Sequence, residues 1–160
     1  MSDLLSMYRS MYLIRRAEER MAQHYFENKI FSFVHFSTGQ EGSAVGVTTA
    51  LRPEDRVYGN HRSHGHYLAK GGDLEGMFAE MLGKETGCCK GKGGSMHMLD
   101  RSVNFMGTTP ILSSNLPISA GSALEQKMRG QSSRTVVFVG DGAAEEGELF
   151  ETLNFASLMR

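Results

Sequence analysis

The sequence predicts an α/β domain with a central, mostly parallel sheet flanked by helices. Three stretches carry that expectation. Thr135-Val136-Val137-Phe138-Val139 is apolar throughout and β-branched for the most part, the pattern of a central strand covered on both faces. Gly140-Asp141-Gly142 breaks it, and Leu149, Phe150, Leu153 and Ala156 then follow at helical spacing. Upstream, Asp73 stands as an N-cap before Leu74, Met77, Phe78, Met81 and Leu82, the clearest amphipathic helix in the chain, with Gly83 as its stop.

The other elements can be placed around these. Leu4, Tyr8, Met11 and Tyr12 share one face of an N-terminal helix, which Arg15, Arg16, Glu18, Glu19 and Arg20 continue as a charged stretch. A short apolar run, Phe31 to Phe36, leads to Gly39-Gln40-Glu41-Gly42 and a helix of small residues ending at Leu51. Arg52-Pro53-Glu54-Asp55 is a turn signal, and Arg56-Val57-Tyr58 reads as a short strand. A helix is expected after Pro117, through Gly121 to Met128. Residues 1–160 thus read as a single, partial domain with an N-terminal helical arm at about 1–28. A strand running to a final helix with no returning strand predicts that the domain is C-terminally incomplete.

Composition narrows the function classes. At 160 residues the chain suits one domain with a sizeable core. Its 40% hydrophobic and 22% charged residues are ordinary for a globular protein. A formal net charge of −1 provides no basic field for nucleic acid or anionic membrane, so neither is expected as a partner. No apolar run approaches a membrane span, and the N-terminus has no basic and apolar regions of a secretory signal. The adjacent Cys88 and Cys89 make no CxxC motif, and reduced thiols in a cytoplasmic location are the expectation.

Three units carry candidate chemistry. In Gly140-Asp141-Gly142, an Asp flanked by glycines at the carboxyl end of a strand leaves room for a phosphate and offers a hard oxygen to Mg²⁺; a helix-capping Asp in a tight turn is the alternative. The Rossmann pattern fails because Glu145 stands where glycine is required. The P-loop pattern fails at Thr86 and Gly93. In His61-Arg62-Ser63-His64-Gly65-His66, Arg62 suits a bidentate grip on phosphate and the histidines suit hydrogen bonding near neutral pH; a zinc site and a polar surface loop are the rivals. In Gly87-Cys88-Cys89-Lys90-Gly91-Lys92-Gly93-Gly94-Ser95-Met96-His97, the glycines mark a backbone that bends sharply or lies against another surface, as an anion site, a subunit contact or a mobile loop. Structural thiols are favoured there over nucleophilic ones, since no base is evident.

Taken together, His35-Phe36-Ser37-Thr38-Gly39-Gln40-Glu41, His61-Arg62-Ser63-His64-Gly65, Gly91-Lys92-Gly93-Gly94-Ser95-Met96-His97 and Gly140-Asp141-Gly142-Ala143-Ala144 occur in an order that closely resembles the alpha subunits of pyruvate, acetoin and branched-chain 2-oxoacid dehydrogenases. The resemblance runs from about Leu4 to Arg160. It implies a thiamine-diphosphate-binding fold, with thiamine diphosphate and Mg²⁺ held between this chain and a beta subunit. Asp141 matches the family's metal ligand, with Gly140, Gly142 and Ala143 beside the diphosphate. Arg62 matches a diphosphate-contacting arginine, and His61 stands where many members have a cofactor-contacting tyrosine. His64 matches an active-site histidine associated with transfer to a lipoyl group, and His35 one that lines the substrate pocket; these two are the implied catalytic residues.

The chain departs from the family pattern in two places. The asparagine pair that completes the thiamine motif lies beyond Arg160; Asn154 is not that ligand. Pro110-Ile111-Leu112-Ser113 stands where members usually have Gly-Ile-Val-Gly, whose backbone holds the aminopyrimidine. Pro110 and Ser113 would present carbonyls there, and Leu112 would shape the cofactor's bend. The resemblance further implies oxidative decarboxylation of a 2-oxoacid, pyruvate by default, with the acyl group passed to a lipoyl-bearing acyltransferase and the activating glutamate supplied by the beta subunit. An acyloin-forming or transketolase-like carboligase and an inactive fragment are the alternatives.

Overall fold

The computed structural model describes residues 2–30 and 32–159. A long helix, α1 (Ser2–Phe26), leads through an extended segment to α2 (Glu41–Thr49). Strand β1 (Arg56–Gly59) follows, then α3 (His64–Ala69) and α4 (Leu74–Met81). A glycine-rich loop and two 3₁₀ turns lead to β2 (Phe105–Thr108), and α5 (Asn115–Met128), β3 (Thr135–Val137), α6 (Asp141–Ala144) and α7 (Gly147–Leu158) complete the order. The sheet is parallel, in the order β2-β1-β3. The α/β class is therefore as the sequence predicts, but the centre of the sheet is not. Among the described residues β1, with Val57 fully buried, lies between two strands, and β3 is an edge strand whose residues are half-buried. An all-apolar run indicates how much a strand can bury; pairing geometry decides which strand is central. Phe138 and Val139 lie beyond the end of β3.

Helices α1, α2 and α3 pack on one another, while α5 packs on β1, β3 and α7. The core joins Ile14, Ala17 and Met21 of α1 to Val57, Tyr67, Met77, Met81, Met98 and Phe105. Several of the methionines serve as fillers between elements that cross at different angles. Two local expectations match: the Asp73 carboxylate accepts from the backbone N–H of Gly76 at 2.6 Å, and Gly83, with φ +66°, follows the end of α4. Helix α5 starts at Asn115, two residues before Pro117, which then sits in the first turn where its missing N–H costs nothing.

The inward face of α1 differs from the expected one. Of the expected face, Leu4, Tyr8 and Tyr12 are exposed and Met11 packs half-buried against the core, while the buried stripe is Ile14, Ala17, Glu18 and Met21. Helix α1 packs on α2 and α3, with the stripe from Ile14 to Met21 at its fully buried centre. A glutamate from the charged stretch is carried inside with it. No described helix is long and apolar enough to cross a membrane.

Asp55 fastens the near end of the sheet. Its buried carboxylate accepts from the backbone N–H of Arg52 and of Arg134, and from the Arg52 guanidinium, so one side chain aligns the entries to β1 and β3. Burial works against its charge, but these donors prevail and hold the carboxyl at about 2.

Candidate active site

At the opposite end of the sheet, a cavity of about 540 Å³ opens at the carboxyl ends of all three strands. Asn60, His61 and Arg62 leave β1; Thr109, Ile111, Leu112 and Ser113 follow β2; Val139 to Ala143 follow β3. Gln40 and Ser43, at the start of α2, and His66 of α3 complete the wall used below. Parallel strands run in one direction, so the loops after them converge at one edge, and ligands of open α/β sheets bind there.

Asp141 is the first residue of α6 and is exposed to the cavity. The residue before it, Gly140, occupies the N-cap position, and among the described residues no hydrogen bond engages the Asp141 carboxylate. The capping alternative therefore has no geometric support. Arg62 is also exposed on the cavity wall; Nη1 donates to the carbonyl of Phe36 at 2.7 Å, which anchors the side chain and leaves most of its donor fork free. A carboxylate without a partner among the described residues and a guanidinium anchored at one nitrogen, both on one cavity, suit a divalent cation and a diphosphate, respectively. Gly142 keeps the backbone beside Leu112 open: a Cβ there would rest 3.6 Å from Leu112 Cδ2.

His61 lines the cavity, and its ring meets that of His35 edge-on at 5.2 Å. Burial, then His35, then the charge of Arg62 hold His61 below its ordinary value, so it is neutral at neutral pH and able to donate one hydrogen bond and accept another. His66 is buried and stacks on Phe138, with ring centroids 3.8 Å apart. Burial pushes His66 down to about 4, against the pull of Glu18. The sequence stretch contained His66 without giving it a role; only its neighbour Phe138, distant in sequence, reveals its setting.

Two expected catalytic histidines stand elsewhere. His64 is fully buried, with Nδ1 2.9 Å from Glu18 Oε1 and Nε2 2.8 Å from Ser95 Oγ. With both ring nitrogens engaged inside the protein, it presents neither to the cavity. His35 is half-buried behind His61, with its Nδ1 shielded from solvent and without a partner among the described residues. The three histidines of the 61–66 stretch diverge to the cavity, to Glu18 and to Phe138, which is no geometry for a shared zinc ion.

The segment after β2 keeps a glycine's backbone with another side chain. Ser113 has φ +67°, in the left-handed region, and its hydroxyl donates to the carbonyl of Ala143 at 2.9 Å. This bond fastens the β2 loop to α6, and the amide of Asn115 donates to the carbonyl of Gly59 to join α5 to the end of β1. Leu112 is half-exposed on the wall, whereas Pro110 lies between the wall residues Thr109 and Ile111 without lining the cavity itself.

The glycine-rich loop does enclose an anion, but one from its own chain. The buried Glu80 carboxylate accepts from the backbone N–H groups of Cys89, Gly91, Gly93 and Gly94 at 2.7–3.0 Å. Burial opposes that charge and the four donors outweigh it, so the Glu80 carboxyl stays below its ordinary value. The close wrap requires glycine: a Cβ on Gly87 would lie 2.6 Å from Glu80 Cα, and one on Gly91 2.5 Å from the Gly83 carbonyl carbon. Burial raises both thiols, Cys88 to about 12, so the pair is protonated and structural.

Residues 9–160 match the family model described as the dehydrogenase E1 component. The chain is 43% identical over 155 residues to the alpha subunit of acetoin:2,6-dichlorophenolindophenol oxidoreductase from Cupriavidus necator, covering 97% of this chain and 46% of that protein. It is 40% identical to the mitochondrial pyruvate dehydrogenase E1 component subunit alpha-1 of Oryza sativa, covering 99% of this chain and 41% of the relative. The corresponding subunit of Rhizobium meliloti is also 40% identical, with 99% and 45% covered. The chain spans less than half the length of these relatives.

Proposed function

The chain belongs to the dehydrogenase E1 component family, and from that premise we propose that it supplies the alpha-subunit half of a thiamine diphosphate and Mg²⁺ site in an enzyme that oxidatively decarboxylates a 2-oxoacid, with pyruvate the default substrate. The observation that carries the reading is the meeting of Arg62 and the unpartnered Asp141 on one cavity at the strand ends. Asp141 would hold Mg²⁺, Arg62 would grip the diphosphate, and the backbone of Gly140, Gly142 and Ala143 would give the phosphates room. Thr109 to Ser113 would shape the cofactor's middle, with Leu112 as its apolar support.

Bound thiamine diphosphate supplies the electron sink for cleavage beside a carbonyl carbon. The chain's own residues position and shield. Neutral His61 offers a hydrogen-bond donor to a carbonyl or hydroxyl oxygen in the cavity, and His35 braces it from behind. Phe138, stacked on His66, forms an apolar wall that excludes water beside the reacting group. A beta subunit would provide the activating glutamate and the rest of the wall, and a lipoyl-bearing acyltransferase would accept the acyl group.

Isothermal titration of the intact alpha–beta enzyme tests the site. Asp141→Ala is expected to abolish the Mg²⁺ dependence of thiamine diphosphate binding and to weaken it about tenfold or more; unchanged affinity would remove Asp141 from the site. A second substrate reading, acetoin in place of the 2-oxoacid, rests on the acetoin-linked relative being as similar as the pyruvate-linked ones. Reduction of an artificial electron acceptor with pyruvate and with acetoin separates them, since only the true substrate should support rapid turnover.

A further inference from the structure

Behind the cavity lies a buried polar node whose centre is Glu18, 1% exposed. One carboxylate oxygen accepts from the backbone N–H of Ser37 at 2.7 Å, from Ser37 Oγ at 2.9 Å and from His64 Nδ1 at 2.9 Å. The other accepts from Thr38 Oγ1 at 2.8 Å. Beyond the ring, His64 Nε2 meets Ser95 Oγ at 2.8 Å, and Ser95 Oγ accepts from the backbone N–H of His35 at 3.2 Å. Burial alone would raise the Glu18 carboxyl; the donors from His64, Ser37 and Thr38 overcome it and keep the group below its ordinary value.

The donors and acceptors fix a direction through the chain of bonds. A carboxylate only accepts, so His64 Nδ1 carries a proton. Ser95 Oγ already accepts from His35, and its own hydrogen has no acceptor other than His64 Nε2 among the described residues. The Nδ1–H tautomer of His64 satisfies both contacts at once, held at both ends. The carboxylate–histidine–serine order resembles that of a nucleophilic triad. Ser95, however, is 1% exposed, and no substrate carbonyl can reach its hydroxyl. What the node joins is more informative. It ties α1 to the 35–38 segment, to the start of α3 just after His61 and Arg62, and to the end of the glycine-rich loop. The carbonyl that anchors Arg62 belongs to Phe36, next to Ser37.

We propose that Glu18 is a positioning residue for the cavity: by clamping His64 between itself and Ser95 it locks the segments that present His35, His61 and Arg62, and His64 serves by position without exchanging protons with substrate. This rests on the reading of the cavity as a thiamine diphosphate site, and the test separates the two.

In the intact alpha–beta enzyme, Glu18→Gln, His64→Gln and the double variant are compared by thiamine diphosphate titration. Each single change is expected to weaken binding about tenfold, and the double change no more than the worse single one, because both cut the same clamp. Reduction of an artificial acceptor and acyl transfer to lipoyl should fall in parallel. Additive losses, or loss of acyl transfer alone in His64→Gln, would overturn the proposal in favour of direct proton transfer by His64. With only this chain's histidines ¹⁵N-labelled, His64 should show a single Nδ1–H tautomer, and Glu18→Gln should mix the two. A proton on Nε2 in the unaltered enzyme defeats the clamp, and this readout stands even if Glu18→Gln does not assemble. If the unaltered enzyme binds no thiamine diphosphate, the cavity reading fails, and the tautomer still decides the clamp.

Discussion

The loop from Gly87 to Gly94 and the turn at Gly140-Asp141-Gly142 are both rich in glycine, yet the first closes on a carboxylate of its own chain and the second opens on a cavity, its carboxylate unpaired among the described residues. In the loop, four backbone donors converge on Glu80, so the anion and the nest are already matched. In the turn, Asp141 has been brought to the strand ends and left without a donor. Glycine spacing reports that backbone must come close to something. Whether that partner is internal or external depends on which side chain the fold delivers.

The largest expected effect breaks the closed member of the pair. Glu80→Ala leaves four part-buried N–H groups without their acceptor and should lower stability by on the order of 3 kcal/mol, measured by denaturant unfolding. If stability were unchanged, the loop would not depend on its internal anion. Asp141→Ala should show the opposite signature, with stability within about 0.5 kcal/mol of the unaltered protein, since the side chain holds nothing in the fold. Its effect should fall on Mg²⁺-dependent cofactor binding.

The next effect is set by pH. His66 is held at about 4, below the unfolded value of 6.5, so below that value the unfolded state takes up protons that the folded state refuses. Stability then falls as pH drops from 6.5 towards 4. His66→Phe keeps a ring against Phe138 and removes this penalty, and should raise stability by about 1–2 kcal/mol at pH 5 with little change at pH 8, read from unfolding curves at the two pH values.

Glu41 gives the opposite case of a depressed carboxyl. Paired with Arg15 at 2.6 Å, it is held at about 2, so its contribution is complete above the unfolded value of 4.5 and is lost as pH falls from there towards 2. Because the Arg15 side chain is 42% exposed, Arg15→Met should lower stability only slightly at neutral pH in denaturant unfolding, with the difference fading below pH 3. The smallest effect belongs to Ser113→Gly, which relieves the φ +67° backbone but removes the bond to Ala143; the two should nearly cancel, to within about 0.5 kcal/mol by thermal unfolding.

Much of this molecule was legible before folding. The Asp73 cap, the β1 strand and the β3-to-α6 turn follow from local pattern, because caps, turns and apolar periodicity are decided within a few residues. Arg62, Leu112 and Asp141, which the resemblance singles out together, line one cavity. Other readings failed for reasons of packing. Leu4, Tyr8, Met11 and Tyr12 share one face of α1, yet only Met11 of them packs against the core, because helical period cannot say which stripe will meet a neighbour. Glu18 stands in a charged stretch, yet Ser37, Thr38 and His64 supply donors that make its burial tolerable. The contact of His64 with Ser95, from a distant loop, could not be read from the local sequence either.

The sequence by itself therefore determined the element types, the parallel α/β class and the side chains that the strand ends gather around one cavity. These properties reside in local period and in the chemistry of single side chains. The tertiary structure alone decided which strand lies central, which carboxylates are enclosed and which is left free. Those outcomes depend on donors and apolar surfaces that are remote in the chain and become neighbours only when the layers close.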